Sequence, residues 1–376
     1  MTDPHASTEH GSAEGAGENT DRPAEPDEFS FLPEDADRVG IGSALPAHRR
    51  VGVTREDGAV VSAIEWGSHP PQVTLLHGAG LNAHTWDPTV LCLNVGTLAI
   101  DLPGHGDSTW REDADYGPAR NAEAVADVLA GLGAGPQVIV GQSLGGLTGI
   151  VLAAEHPELV SHLILVDIVP TLPTDDAPGD GTVGTVGENA GETASTERAP
   201  STPAASTPVA AGAPATDPGG EEPTATPGKP TLAQIREFMT GQRQYPSRDQ
   251  IIDRALAFGY GPDRGALTRG VTLNTRRRDD GQYEFKHHLA HLDPEVAMAA
   301  GRDTSALWEP LTSLTIPVLL IRGRQGVVDT AQVAEFLRRA PGDDVVDLDS
   351  GHNVQEDSPA ALADLIRAFG ERPSPA

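Results

Sequence analysis

The sequence predicts an α/β protein: a mostly parallel central sheet with helices on both faces and a small, mainly helical cap. Three observations carry this. Short apolar runs alternate with longer windows of helical spacing, the pattern of strand–helix–strand units whose sheet is covered on both sides. That alternation is interrupted once, by a helical block in the middle of the chain. Two further stretches cannot build a core, and setting them aside leaves about 270 residues, enough for one large core.

Val60–Trp66 and Gln72–Leu76 read as strands, and Thr97–Asp101 as a short buried one. Ala119–Leu132 has apolar residues at helical spacing. Val138–Gly141 is a strand, Leu144–Glu155 a helix and Leu163–Asp167 another strand. Leu232–Phe258 reads as two helices broken near Tyr245-Pro246. Val318–Ile321, Ala331–Ala340, Val345–Leu348 and Ala360–Phe369 resume the alternation. The interrupting block is expected to sit over the carboxyl edge of the sheet. The expected organisation is a core of residues 38–170 and 300–372, with a cap region at 231–299.

The two excluded stretches are acidic. Residues 1–37 carry eleven acids against one base, and residues 171–230 nine acids against two, so they account for more than half of the net charge of −29. Residues 171–230 also hold 10 Pro and 9 Gly and have no aromatic residue, a composition that cannot offset the entropy of ordering. Both are expected to be disordered, although Phe29 and Phe31 could pack on the body. So acidic a chain is a poor phosphate binder, which argues against nucleic acid as a partner. The single cysteine, Cys92, lies in the apolar run Val90–Leu93 and excludes an internal disulfide framework or a cysteine-based zinc site. Without a membrane-length apolar run or a signal pattern, a cytoplasmic protein is expected.

The chemistry concentrates in three loops and one late histidine. Gly141-Gln142-Ser143-Leu144-Gly145 joins a predicted strand to a predicted helix, the context of a nucleophile held on a sharp turn between small residues. Leu75-Leu76-His77-Gly78-Ala79-Gly80 follows another strand. With the first motif it assigns an oxyanion hole to the amides of Ala79 and Leu144. Asp101-Leu102-Pro103-Gly104-His105-Gly106-Asp107-Ser108 follows a third strand, and His105 reads as shaping that loop rather than as a base. Ser350-Gly351-His352 lies between the last strand and the last helix, where His352 suits a general base. His287, His288 and His291 cluster in the cap region and read as solvent-facing polar residues rather than metal ligands.

These motifs, in this order over residues 51–170 and 231–370, resemble the α/β-hydrolase superfamily. The resemblance implies a triad of serine, acid and histidine in chain order, with no metal or organic cofactor. The usual acid would follow Val318–Ile321, but Gly323-Arg324-Gln325-Gly326-Val327-Val328 has none, and Asp329 comes late enough to be a helix N-cap. A subgroup of small serine esterases resembles a different arrangement, with Asp in a Val-Asp-Ile-x-Pro segment 24 residues beyond the serine. Val166-Asp167-Ile168-Val169-Pro170 matches that spacing, and Arg269-Gly270-Val271 with Asn274-Thr275-Arg276 also resembles actinobacterial members. Asp167 is therefore favoured as the acid, with Asp329 as the alternative; the bland reading of Asp167 is a structural residue at the strand edge. The expected activity is cleavage of carboxylic esters through an acyl-enzyme on Ser143. The same fold also serves thioesterases, carbon–carbon bond hydrolases, cofactor-free haloperoxidase-like enzymes and catalytically silent binding proteins.

Overall fold

The computed structural model describes residues 25–42, 44–67, 70–171, 238, 241–258, 264–297 and 304–373. The expectations of disorder for residues 1–24 and 172–230 lie outside the described residues. Eight strands form the main sheet: β1 (His48–Thr54), β2 (Val60–Trp66), β3 (Val73–Leu76), β4 (Thr97–Ile100), β5 (Gln137–Gln142), β6 (Val160–Val166), β9 (Val318–Gly323) and β10 (Asp344–Leu348). Their order is β1-β2-β4-β3-β5-β6-β9-β10. β2 pairs antiparallel with both β1 and β4, and the pairs from β4 to β10 are parallel.

Alternation along the strands sends side chains into two cores. Leu76, Ile100, Ile139, Leu163 and Leu165 meet helices α3 (Pro118–Gly131) and α4 (Leu144–Glu155). Leu75, Ala99, Val140, Ile164 and Val166 meet α2 (Asp87–Leu93) and the last helix, Pro359–Gly370. Both faces of the central strands are therefore apolar, and these strands read as continuous apolar runs.

The N-terminal expectation needs correction. Residues 25–37 are described and packed, not a free tail: Leu32–Val39 forms helix α1, with Leu32 and Ala36 buried against α2. Two cations outside this segment fix it. Arg50 of β1 bonds Glu28 and Asp101, and Arg269 of the cap bonds Asp35 at 2.7 Å and Asp87 at 2.8 Å. Two of the acids that suggest disorder in sequence, Glu28 and Asp35, thus belong to an ion network at the core surface.

The cap contains helices α5 (Arg248–Ala257) and α6 (Arg264–Asn274), followed by a hairpin of β7 (Thr275–Arg277) and β8 (Tyr283–Phe285) that helical periodicity did not reveal. Its small core is Tyr245, Ile251, Ile252, Val271 and Phe285. It docks on the loops that leave β3 and β4. Asn82 donates to the Leu273 carbonyl at 3.0 Å, the His288 amide to the Gly104 carbonyl at 2.7 Å, and the Trp110 indole to the Lys286 carbonyl at 2.9 Å. The cap thus covers the carboxyl edge of the sheet.

The chain leaves the core after Pro170 and re-enters it at Thr304. These two points touch, because the Thr304 hydroxyl donates to the Pro170 carbonyl. Beside them the Trp308 indole donates to Thr171 Oγ1 at 2.7 Å.

Candidate active site

Ser143 occupies the tip between β5 and α4 with φ 52° and ψ −118°, a left-handed conformation uncommon for a residue with a side chain. The turn is possible because its neighbours lack Cβ atoms. A Cβ on Gly141 would lie 2.3 Å from the Gly145 carbonyl carbon, and one on Gly145 would lie 2.1 Å from the Leu76 carbonyl oxygen. Leu144 is the first residue of α4, where backbone amides have no acceptor within the helix. The Gly78 loop presses on this tip, since a Cβ on Gly78 would sit 3.2 Å from Cβ of Ser143. Ala79 is the next residue of that loop.

His352 follows β10, and its Nδ1 lies 2.7 Å from Asp167 Oδ2. A carboxylate oxygen only accepts, so Nδ1–H donates, and Nε2 is left as the acceptor. Asp167 is fully buried at the end of β6 with φ 50°. Its oxygens also accept from the amides of Gly323 at 3.2 Å and Val327 at 2.7 Å. The loop after β9, which carries no early acid, thus supplies amides that hold an acid from β6. Gly326 permits this approach, since a Cβ there would lie 2.1 Å from Asp167 Oδ2. Asp329 is the N-cap of Thr330–Arg339: its side chain accepts from the Gln332 amide at 2.7 Å while Gln332 accepts from the Asp329 amide, a capping box.

The histidines of the neighbouring loops and of the cap have structural partners. His77 bridges loops, Nδ1 to the Gly78 carbonyl at 2.8 Å and Nε2 accepting from the Leu102 amide at 2.9 Å; burial lowers its pKa to about 4. His105 is fully buried, and burial lowers its pKa to about 3. Both rings are neutral at ordinary pH. The cap histidines are not solvent-facing as the sequence suggested. His287 is buried against Phe285 and His105, and His288 stacks on Trp110 at 4.6 Å with its Nδ1 bonded to the Tyr116 hydroxyl. They form the aromatic seam between cap and core. Among the described residues, no group of three or more His, Cys, Asp or Glu side chains is arranged to hold a metal ion. Nor is any helix among them long and apolar enough to cross a membrane.

Gln142, Gly326 and the Val327 amide escaped sequence reasoning as parts of the site. Gln142 stands inside the elbow motif at a position that admits many residues. Gly326 lies in a loop whose only visible property was a missing acid.

A serine on a strained strand-to-helix turn, below a cap on the carboxyl edge of a parallel sheet, defines a hydrolase-type architecture, and comparison with known proteins agrees. Residues 71–359 match the family described as alpha/beta hydrolase fold, and the chain belongs to that family. It is similar to Esterase Rv0045c of Mycobacterium tuberculosis, 35% identical over 345 residues that cover 91% of this chain and 95% of that protein. A crystal structure of that esterase superposes with a TM-score of 0.66 at 32% identity, covering 92% of this chain and 99% of that one. E-2-(acetamidomethylene)succinate hydrolase shares the fold, with a TM-score of 0.63 at 20% identity over 87% of this chain and all of that one.

Proposed function

We propose that this protein is a serine hydrolase that cleaves carboxylic esters of small molecules through an acyl-enzyme intermediate. The observation that carries the reading is the 2.7 Å bond between His352 Nδ1 and Asp167, in a chain whose elbow presents Ser143. Similarity to an esterase along most of the chain supports ester cleavage.

In this reading Ser143 Oγ attacks the acyl carbonyl as His352 Nε2 takes its proton. Asp167 holds the imidazole in the tautomer that leaves Nε2 free, and stabilises the imidazolium that forms. The amides of Ala79 and Leu144 donate to the oxyanion of the tetrahedral intermediate. Collapse breaks the carbon–oxygen bond, and His352 returns the proton to the departing alcohol. Water then attacks the acyl-enzyme by the same path, releasing the acid and restoring Ser143. Asp329 has a cap to satisfy and serves the helix. No step calls on a metal or organic cofactor.

The test is a panel of acyl esters of graded chain length, run beside matched thioesters, with fluorophosphonate labelling of Ser143. Ester turnover together with labelling is expected. Turnover confined to thioesters would move the protein to another hydrolase class, and absence of labelling would remove Ser143 as nucleophile.

A further inference from the structure

The side chain of Gln142 joins two loops of the site from beneath. It is 1% exposed. Its Nε2 donates to the backbone carbonyl of His352 at 3.3 Å. Its other end faces the Gly78 loop, where a Cβ on Gly78 would lie 2.1 Å from Gln142 Oε1 and 3.0 Å from Cδ. Among the described residues Oε1, which is buried, has no hydrogen-bond partner.

That last fact makes the amide informative. Burying an unpaired carbonyl oxygen is unfavourable, and a thioether of the same length would fill the space without it. The acceptor end of the amide therefore adds nothing to stability, and the glutamine is explained by its donor end, which makes one long bond. What the amide supplies is a donor for the carbonyl of the residue that bears the imidazole, at a fixed distance from the loop that bears Ala79.

We infer that Gln142 is a positioning residue that sets the separation of the histidine loop from the oxyanion loop. The inference rests on the reading of Ser143 and His352 as nucleophile and base. Among the restraints on the imidazole, Asp167 holds the ring at Nδ1 and Gln142 holds the His352 carbonyl behind it, beside the Gly351 amide that donates to Asp357 at 2.8 Å. Losing the second lets the ring swing about the first. A displacement on the order of 1 Å in a reacting group can lower a rate about a hundredfold. Because the contact is to backbone, substrate binding is largely spared.

The experiment compares wild type, Gln142→Met and Gln142→Glu, with Ser143→Ala as the blank. Fluorophosphonate labelling reads Ser143 reactivity without an ester, and kcat, KM and Tm are measured alongside. For Gln142→Met we expect Tm within about 5 °C of wild type. Labelling rate and kcat should fall about 10- to 100-fold with KM changed less than about threefold. In Gln142→Glu a neutral carboxyl can donate to the His352 carbonyl and an ionised one cannot. Its labelling rate relative to wild type should therefore climb as pH is lowered from about 8 to about 6, since burial raises a carboxyl pKa into that range. Folded Gln142→Met that labels at the wild-type rate overturns the inference and leaves the proposed function standing. If Gln142→Met does not fold, a pH-independent ratio for Gln142→Glu overturns it equally. Wild type that resists labelling removes the nucleophile and the inference with it.

Discussion

Asp167 and His352 stand 185 positions apart in the chain, and their side chains meet at 2.7 Å. The same carboxylate accepts two backbone amides from the loop after β9. Both of its oxygens are therefore held in place by backbone, and the imidazole is a third donor to it.

Replacing the serine tests the nucleophile directly. Ser143→Ala should fold normally and lose on the order of 10⁴-fold or more in ester hydrolysis. Steady-state rates on the best ester of the panel, with circular dichroism to check folding, decide it. Near-normal turnover by the folded variant would refute the mechanism.

The two aspartates make opposite predictions. Asp167→Asn places an amide against Nδ1 and favours the wrong imidazole tautomer, a defect that costs about 10⁴-fold in serine proteases. A similar or smaller loss is expected here. Asp329→Asn should cost under about tenfold, because asparagine caps a helix well. Rates for the two folded variants, measured side by side, would reverse the assignment if Asp329→Asn were the crippled one.

Gly326 should tolerate no side chain. Gly326→Ala drives a methyl group to 2.1 Å from Asp167 Oδ2, so the carboxylate or the loop must move. We expect a loss of about 1–3 kcal/mol in stability and of about a hundredfold in kcat. Urea unfolding and kinetics measure the two, and unchanged kcat would show that the loop yields without disturbing the acid.

Stability should fall as the solution turns alkaline. His84 is buried with Nδ1 2.9 Å from Asp87 and Nε2 3.1 Å from Glu28. Burial opposes its charge, but Asp87 and Glu28 outweigh burial and raise the pKa to about 9 from 6.5. The folded state therefore keeps a proton that the unfolded chain releases. The stabilisation is complete below pH 6.5 and is lost as pH rises through about 9, with an upper size of about 3 kcal/mol. Tm measured from pH 6 to 9.5 should decline in wild type and flatten over that window in His84→Gln. Parallel curves would exclude His84 as the cause.

Much of this was legible in sequence, for identifiable reasons. Helix Leu144–Glu155 and strand Val60–Trp66 have the predicted bounds, because a glycine-framed elbow and a run of β-branched residues are local signals. β1 was missed: His48–Thr54 is an edge strand with two arginines and no clear apolar alternation. Helix α1 was missed because the partner of its buried Asp35, Arg269, lies 234 positions along the chain. Asp167 could be favoured from spacing, but the amides of Gly323 and Val327 that hold it could not. Backbone donors carry no residue signature.

The contact between Thr304 and Pro170 has an evolutionary consequence. The described cap residues lie between these two positions in the chain, while Ser143, Asp167 and His352 all lie outside that interval. Changes of length between residues 171 and 303 can therefore accumulate without re-spacing Ser143, Asp167 and His352, provided that Arg269, His287 and His288 keep their contacts with the core.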